Sequence, residues 1–151
     1  VIIHGVRDTL FLKLDTKRIQ NQYLNTQNTD GINKGCDALL FFERDNNYHI
    51  ILCEMKSTAP KAIDYEKQLI NSKLMFDYFV KLAKEFYNTE IETNPPKFVL
   101  FRRERVSKSL PRNNGDCQIV TERMVHFNDK FIKKITFGAL DNNHININQL
   151  I

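Results

Sequence analysis

With 151 residues, 42% of them hydrophobic and 26% charged, the chain has the size and balance of a single soluble domain spanning 1–151, too short for two comfortable cores. No apolar run approaches the roughly 18 residues of a membrane-spanning helix, which excludes a membrane partner by that route. The formal net charge of +4 and the isoelectric point near 9.0 suit a polyanionic partner without demanding one.

The start, Val1-Ile2-Ile3-His4, has neither a basic leader nor a small-residue cleavage site, so a cytoplasmic protein with a processed or trimmed start is expected. The stretch Thr9 to Leu14 alternates like a short strand, and Asn21 to Lys34 reads as a polar loop ending at Gly35. Cys36 to Phe42 and Tyr48 to Met55 are β-rich runs joined through Asp45-Asn46, a pair suited to a tight hairpin turn. From Pro60 to Tyr87, Leu69, Phe76, Phe79, Ala83 and Phe86 recur at helical spacing, with Ser57 or Thr58 placed to cap the start. Lys97 to Arg102 is a further strand, and Gln118 to Phe127 contains another. Phe131 to Phe137 with His144 to Ile147 reads as a terminal hairpin. Asn46-Asn47, Asn113-Asn114 and Asn142-Asn143 mark turns. This order implies an α/β (α+β) sheet with the long helix packed on it.

A two-residue turn at Asp45-Asn46 places Asp37 opposite Glu54. Such cross-strand partners have Cβ atoms about 4.5 to 5.5 Å apart, and two like charges there weaken a sheet unless something compensates. A divalent cation does so, because Mg²⁺ takes one or two protein carboxylates and fills its remaining positions with water and phosphate oxygens. Lys56, two residues beyond Glu54, falls on the same face, where an ammonium can orient an attacking water or offset charge developing on phosphate. A second acid-x-Lys triplet, Asp15-Thr16-Lys17, has an upstream carboxylate only seven residues back at Asp8, too close for two strands and a turn. The bland alternative makes Glu54 and Lys56 a surface ion pair.

Gly35-Cys36-Asp37-Ala38-Leu39-Leu40-Phe41-Phe42 followed by Ile50-Ile51-Leu52-Cys53-Glu54-Met55-Lys56-Ser57 resembles the PD-(D/E)xK nuclease superfamily over about residues 35 to 87. The resemblance implies a restriction-endonuclease-like mixed β-sheet flanked by helices and a Mg²⁺-dependent nuclease, with Mn²⁺ as a substitute. Its substrate would be DNA ahead of RNA, and cutting would be internal ahead of terminal. It assigns Asp37, Glu54 and Met55 to the metal and Lys56 to catalysis. Cys36 stands where the motif has proline. The acidic residue that many members add from an N-terminal helix has no Glu to supply it before Glu43, leaving Asp8, Asp15 and Asp30.

Gln68 matches a glutamine that RecB-like members place near the metal, and is a further catalytic candidate. Its alternative is a solvated helix face beside Glu66 and Lys67. The run Arg102, Arg103, Arg105, Lys108 and Arg112 is the candidate nucleic-acid contact, tracking phosphates, or else a solvated loop. The four histidines show no ligand spacing, and the three cysteines, without Cys-x-x-Cys spacing, read as reduced core thiols. The expected partner is nucleic acid, with a homodimer or a separate DNA-recruiting subunit for double-strand cutting. The alternative function is a catalytically inactive nuclease-fold subunit that binds nucleic acid or protein.

Overall fold

The computed structural model describes residues 1–5, 8–14, 34–57, 60–103, 117–137 and 144–151. Asp15, Asp30, Thr58, Arg105, Lys108 and Arg112, with Asn113-Asn114 and Asn142-Asn143, lie outside these residues. In chain order the elements are β1 (Ile2–His4), β2 (Leu10–Leu12), β3 (Ala38–Arg44), β4 (Asn47–Lys56) and α1 (Ala62–Tyr87). After these come β5 (Lys97–Arg103), β6 (Gln118–Arg123), β7 (Phe131–Phe137), β8 (His144–Asn146) and a 3-10 turn at Ile147–Gln149. Six strands form a mixed sheet in the order β2-β3-β4-β5-β7-β6. β4, β5 and β7 run parallel to one another, and the remaining pairs are antiparallel.

The β3–β4 hairpin turns on Asp45 and Asn46, whose φ values of 52° and 58° are the left-handed backbone that a two-residue hairpin loop requires. Asp and Asn tolerate that region better than other side chains with a Cβ. The register pairs Ala38 with Cys53 through Arg44 with Asn47, as the turn position predicts.

α1 covers one face of the sheet. Its N-cap is Lys61, which makes no side-chain cap, so the expected cap at Ser57 is not formed. Lys61 is itself extended, and the helix begins at Ala62 with Asp64 in the first turn, where an acid meets the positive end of the helix dipole. At the other end Asn88 takes a left-handed conformation, and its amide donates to the Lys84 carbonyl at 3.1 Å. Only the first half of the helix is deeply buried, through Tyr65, Glu66, Leu69 and Ser72. Phe79 and Phe86, expected on the packed stripe, are 41% and 75% exposed. Both lie in the second half of the helix, beyond Ser72, the last residue that α1 buries.

The two faces hold separate cores. Leu39, Ile50, Leu52, Phe98, Leu100 and Ile132 pack toward Tyr65 and Leu69 of α1. Leu40, Phe42, Ile51, Val99, Phe101, Ile135 and Phe137 pack on the other face against Ile145, Ile147 and Leu150. The expected terminal hairpin is corrected by this arrangement. β7 has β5 on one edge and β6 on the other, so no edge is left for β8, which pairs in parallel with β1 instead. The chain end is tied across the sheet by Lys133, whose ammonium donates to the Gln149 carbonyl at 2.7 Å.

Candidate active site

The site sits where β4 and β5 end, on the face that carries α1. Leu52 points into the α1-side core, and strand alternation places Glu54 and Lys56 on the same face one and two steps further along. Glu54 is 1% exposed. Burial is the largest cause raising its pKa above the ordinary carboxylate value; the Lys56 ammonium opposes the rise, and Asp37 adds to it.

Asp37 lies just before β3, at the register position opposite Glu54. The two residues cross-bond: the Asp37 amide donates to Glu54 Oε2 at 3.2 Å, and the Met55 amide donates to Asp37 Oδ2 at 2.7 Å. The Lys56 ammonium makes an ion pair with Glu54 Oε1 and donates to Gln68 Oε1 at 3.2 Å. Because Glu54 is buried, this is not the surface ion pair of the alternative reading.

Gln68 comes from the second turn of α1, and its amide group also donates to the Gly35 carbonyl at 3.4 Å. Ser72, one turn further along, accepts from the Cys36 amide at 2.7 Å. These bonds hold the strand leading into Asp37 against the helix. Gly35 is needed there because a Cβ would stand 3.0 Å from Leu14 Cβ and 3.2 Å from its carbonyl oxygen. Cys36 and Cys53 flank the carboxylates but are buried thiols, and burial pushes Cys36 up to about 12. None of the three cysteines forms a disulfide.

Of the other expected positions, Met55 is 48% exposed on the opposite face, so its thioether points away from the carboxylates. Arg102 and Arg103 are neighbours on β5 and point to opposite faces; Arg102 is the register partner of Lys56 and shares its face. Asp8 lines a cleft of about 740 Å³ with Arg44, Asp45, Asn46 and Asn146, at the turn end of the hairpin and so at the far end from Asp37. The Asp37–Glu54 centre has no third carboxylate among the described residues.

No family model, no curated protein and no solved structure matches the chain.

Among the described residues no group of three or more His, Cys, Asp or Glu side chains is placed to hold a metal ion. Mg²⁺ needs only one or two protein carboxylates and keeps water or phosphate oxygens in its other positions. Asp37 Oδ1 accepts no hydrogen bond from the described residues, and each Glu54 oxygen keeps a lone pair beyond the one it already uses. The donor set therefore fits a hard divalent cation.

Two neighbouring residues were missed in the sequence. Glu66, on a solvated face only in the alternative reading of Gln68, is 1% exposed and accepts from the Val125 and His126 amides at 2.9 and 2.8 Å. Lys134 stands with its ammonium 5.6 Å from the centre of the Tyr65 ring and pairs with Glu122. Their partners are distant in sequence, so neither periodicity nor motif spacing marks them. No helix among the described residues is long and apolar enough to cross a membrane.

Proposed function

We propose that the protein is a metal-dependent nuclease of the PD-(D/E)xK type, hydrolysing phosphodiesters in DNA ahead of RNA and cutting internally, in the cytoplasm. The observation that carries this reading is Glu54: a carboxylate 1% exposed, opposite a second carboxylate and bonded to a lysine ammonium at the carboxyl end of a central strand. Burying a charge there costs stability, and packing alone would be better served by an apolar residue.

Asp37 and Glu54 would hold the cation, which would supply a water of lowered pKa and offset charge on the phosphate. Lys56, paired with Glu54 Oε1 in the fold, would turn its ammonium toward the attacking water or the phosphate oxygens. Gln68 positions Lys56 by accepting from its ammonium. Double-strand cleavage would bring two such protomers together or rely on a DNA-recruiting subunit.

The test is a thermal melt and a cleavage assay side by side. Mg²⁺ or Mn²⁺ at millimolar concentration is expected to raise the midpoint, because a ligand that binds only the folded state stabilises it by mass action. The same metals should support cleavage of DNA more than RNA, whereas Ca²⁺ binds without cleavage. A midpoint unmoved by either metal removes the carboxylates as a metal site. Metal binding without cleavage of either nucleic acid points to the inactive nuclease-fold subunit.

A further inference from the structure

Along α1 one face changes character partway. Near its start Asp64, Gln68 and Asn71 follow one another at steps of four and three, and Gln68 and Asn71 bond to the carbonyls of Gly35 and Lys34. Continued along the helix in steps of three and four, that face carries Met75, Phe79, Leu82 and Phe86. The sheet does not account for the change, because the residues that α1 buries end at Ser72. Leu74, Tyr78, Phe79, Phe86 and Tyr87 are 59, 57, 41, 75 and 79% exposed. With about 200 Å² for each aromatic side chain, this open apolar surface is on the order of 600 Å², the upper end of what a monomer shows in one patch.

The spacing of the residues says what covers it. Leu74, Tyr78, Leu82 and Phe86 form one apolar ridge at four-residue intervals. Met75, Phe79, Ala83 and Tyr87 form the next, so the groove between the two is apolar as well. Ridges at this interval interdigitate in the commonest class of helix pair. On the other side of the first ridge run Lys73, Asp77, Lys81 and Glu85, which alternate in sign. A two-fold axis crossing the helix near Phe79 lays this charged ridge beside its own reverse, Lys73 against Glu85 and Asp77 against Lys81, so that every pair is of opposite charge. The apolar ridge is reversed with it, Leu74 toward Phe86 and Tyr78 toward Leu82. A parallel pairing would set like charge against like. In the single chain Lys73 pairs with Asp77 at 2.5 Å, a partly exposed contact of the weak surface kind, which does not hold either side chain from pairing across the axis. Two copies together bury about 1,200 Å², the lower limit for a specific interface.

We propose that the second half of α1 is the interface of a homodimer, two copies pairing antiparallel through Leu74, Tyr78, Leu82 and Phe86 about an axis near Phe79. The proposal does not rest on the nuclease reading, which calls for a second protomer or a recruiting subunit without assigning either a surface. Gln68 lies outside the paired stretch, 11 residues and about 16 Å along the helix from the axis.

The experiment is sedimentation equilibrium of the full chain over about 1 to 300 µM, the range in which a modest interface dissociates. Wild type is expected to pass from monomer to dimer within it. Tyr78→Glu puts a charge at the centre of the apolar ridge and should weaken association by about 30-fold or more. Asp77→Lys and Lys81→Asp should each weaken it by about tenfold, since each opposes like charges twice across the axis. Mixed in equal amounts, those two variants should regain wild-type association, because every pair between them is again of opposite charge. A wild-type chain monomeric throughout overturns the proposal, as does a dimer that Tyr78→Glu leaves unchanged. A mixture no tighter than the single variants overturns the antiparallel pairing. Circular dichroism checks the fold of each variant, and should Tyr78→Glu lose its helix, Phe86→Glu takes its place. Neither metal nor cleavage is read, so failure here leaves the nuclease reading untouched.

Discussion

The two faces of the central sheet are built from alternate residues of the same strands, yet they end differently. On the face away from α1, apolar side chains continue through Cys53 and Met55 on β4 and Phe137 on β7, whereas on β5 they stop at Phe101, with Arg103 next. On the α1 face the apolar run stops at Leu52, Leu100 and Ile132, and the next residues along are Glu54, Arg102 and Lys134. On β4 and β7 folding alone gives no reason for the change, since the opposite face shows that those two strands can remain apolar over that length. Glu54 and Arg102 sit near the carboxyl ends of β4 and β5, the position at which open α/β sheets commonly take their ligands, whereas Lys134 lies midway along β7.

The largest effect expected from this contrast is on stability, at Phe101. Phe101→Ala removes a ring that is 4% exposed and packed near Phe137, and should cost about 3 to 5 kcal/mol. Its neighbour Arg102→Ala, on the charged face, should change stability far less while weakening DNA binding. Urea melts of the two variants make the comparison. Equal losses would mean that the charged face is as structural as the apolar one.

Next in size is the catalytic loss at Lys56. Lys56→Ala should lower the cleavage rate by about 10² to 10³, similar to removal of one preorganised charge-stabilising donor. Metal and substrate binding should stay largely intact, because the ammonium acts in the transition state. The variant also leaves Glu54 buried without its counter-charge, so single-turnover kinetics are run with saturating metal to restore one. Glu54→Ala differs by weakening metal affinity together with rate. Wild-type cleavage by Lys56→Ala removes this motif as the catalytic centre.

How much of this was legible in the sequence follows from how local each feature is. The hairpin register could be read because Asp45 and Asn46 fix a two-residue turn, and the turn fixes every pair up to Asp37 and Glu54. The helix could be read from its apolar period, though not its packing, because nothing local states that burial ends at Ser72. Lys134 was invisible. Its place beside Arg102 depends on β7 inserting between β5 and β6, a pairing across more than 30 residues. The basic run read as one unit, yet strand alternation divides Arg102 from Arg103, a split that shows only once β5 is known to extend through both. Glu66 had no signal, because its partners are backbone amides about 60 residues away.

The smallest expected effect tests the carboxylate pair itself, without catalysis. In metal-free buffer near pH 7, Asp37→Asn should stabilise the protein by about 0.2 to 1 kcal/mol, the range for relief of a cross-strand like-charge pair. An asparagine oxygen can still accept from the Met55 amide, so the loop is held as before. The sign with pH follows from Glu54, whose pKa in the fold is raised, first by burial and in part by Asp37. A raised carboxyl contributes stability below its ordinary value near 4.5 and loses that contribution as pH climbs through the raised one. The repulsion that Asp37→Asn relieves is therefore full above the raised pKa, where Glu54 is ionised, and fades as acid protonates it. The gain of the variant over wild type should shrink toward pH 4, and Mg²⁺ should reverse its sign at pH 7 by stabilising wild type more. A variant less stable than wild type at pH 7 without metal would mean that Asp37 serves the fold through its charge, and the case for a cation between the two carboxylates would lose its physical ground.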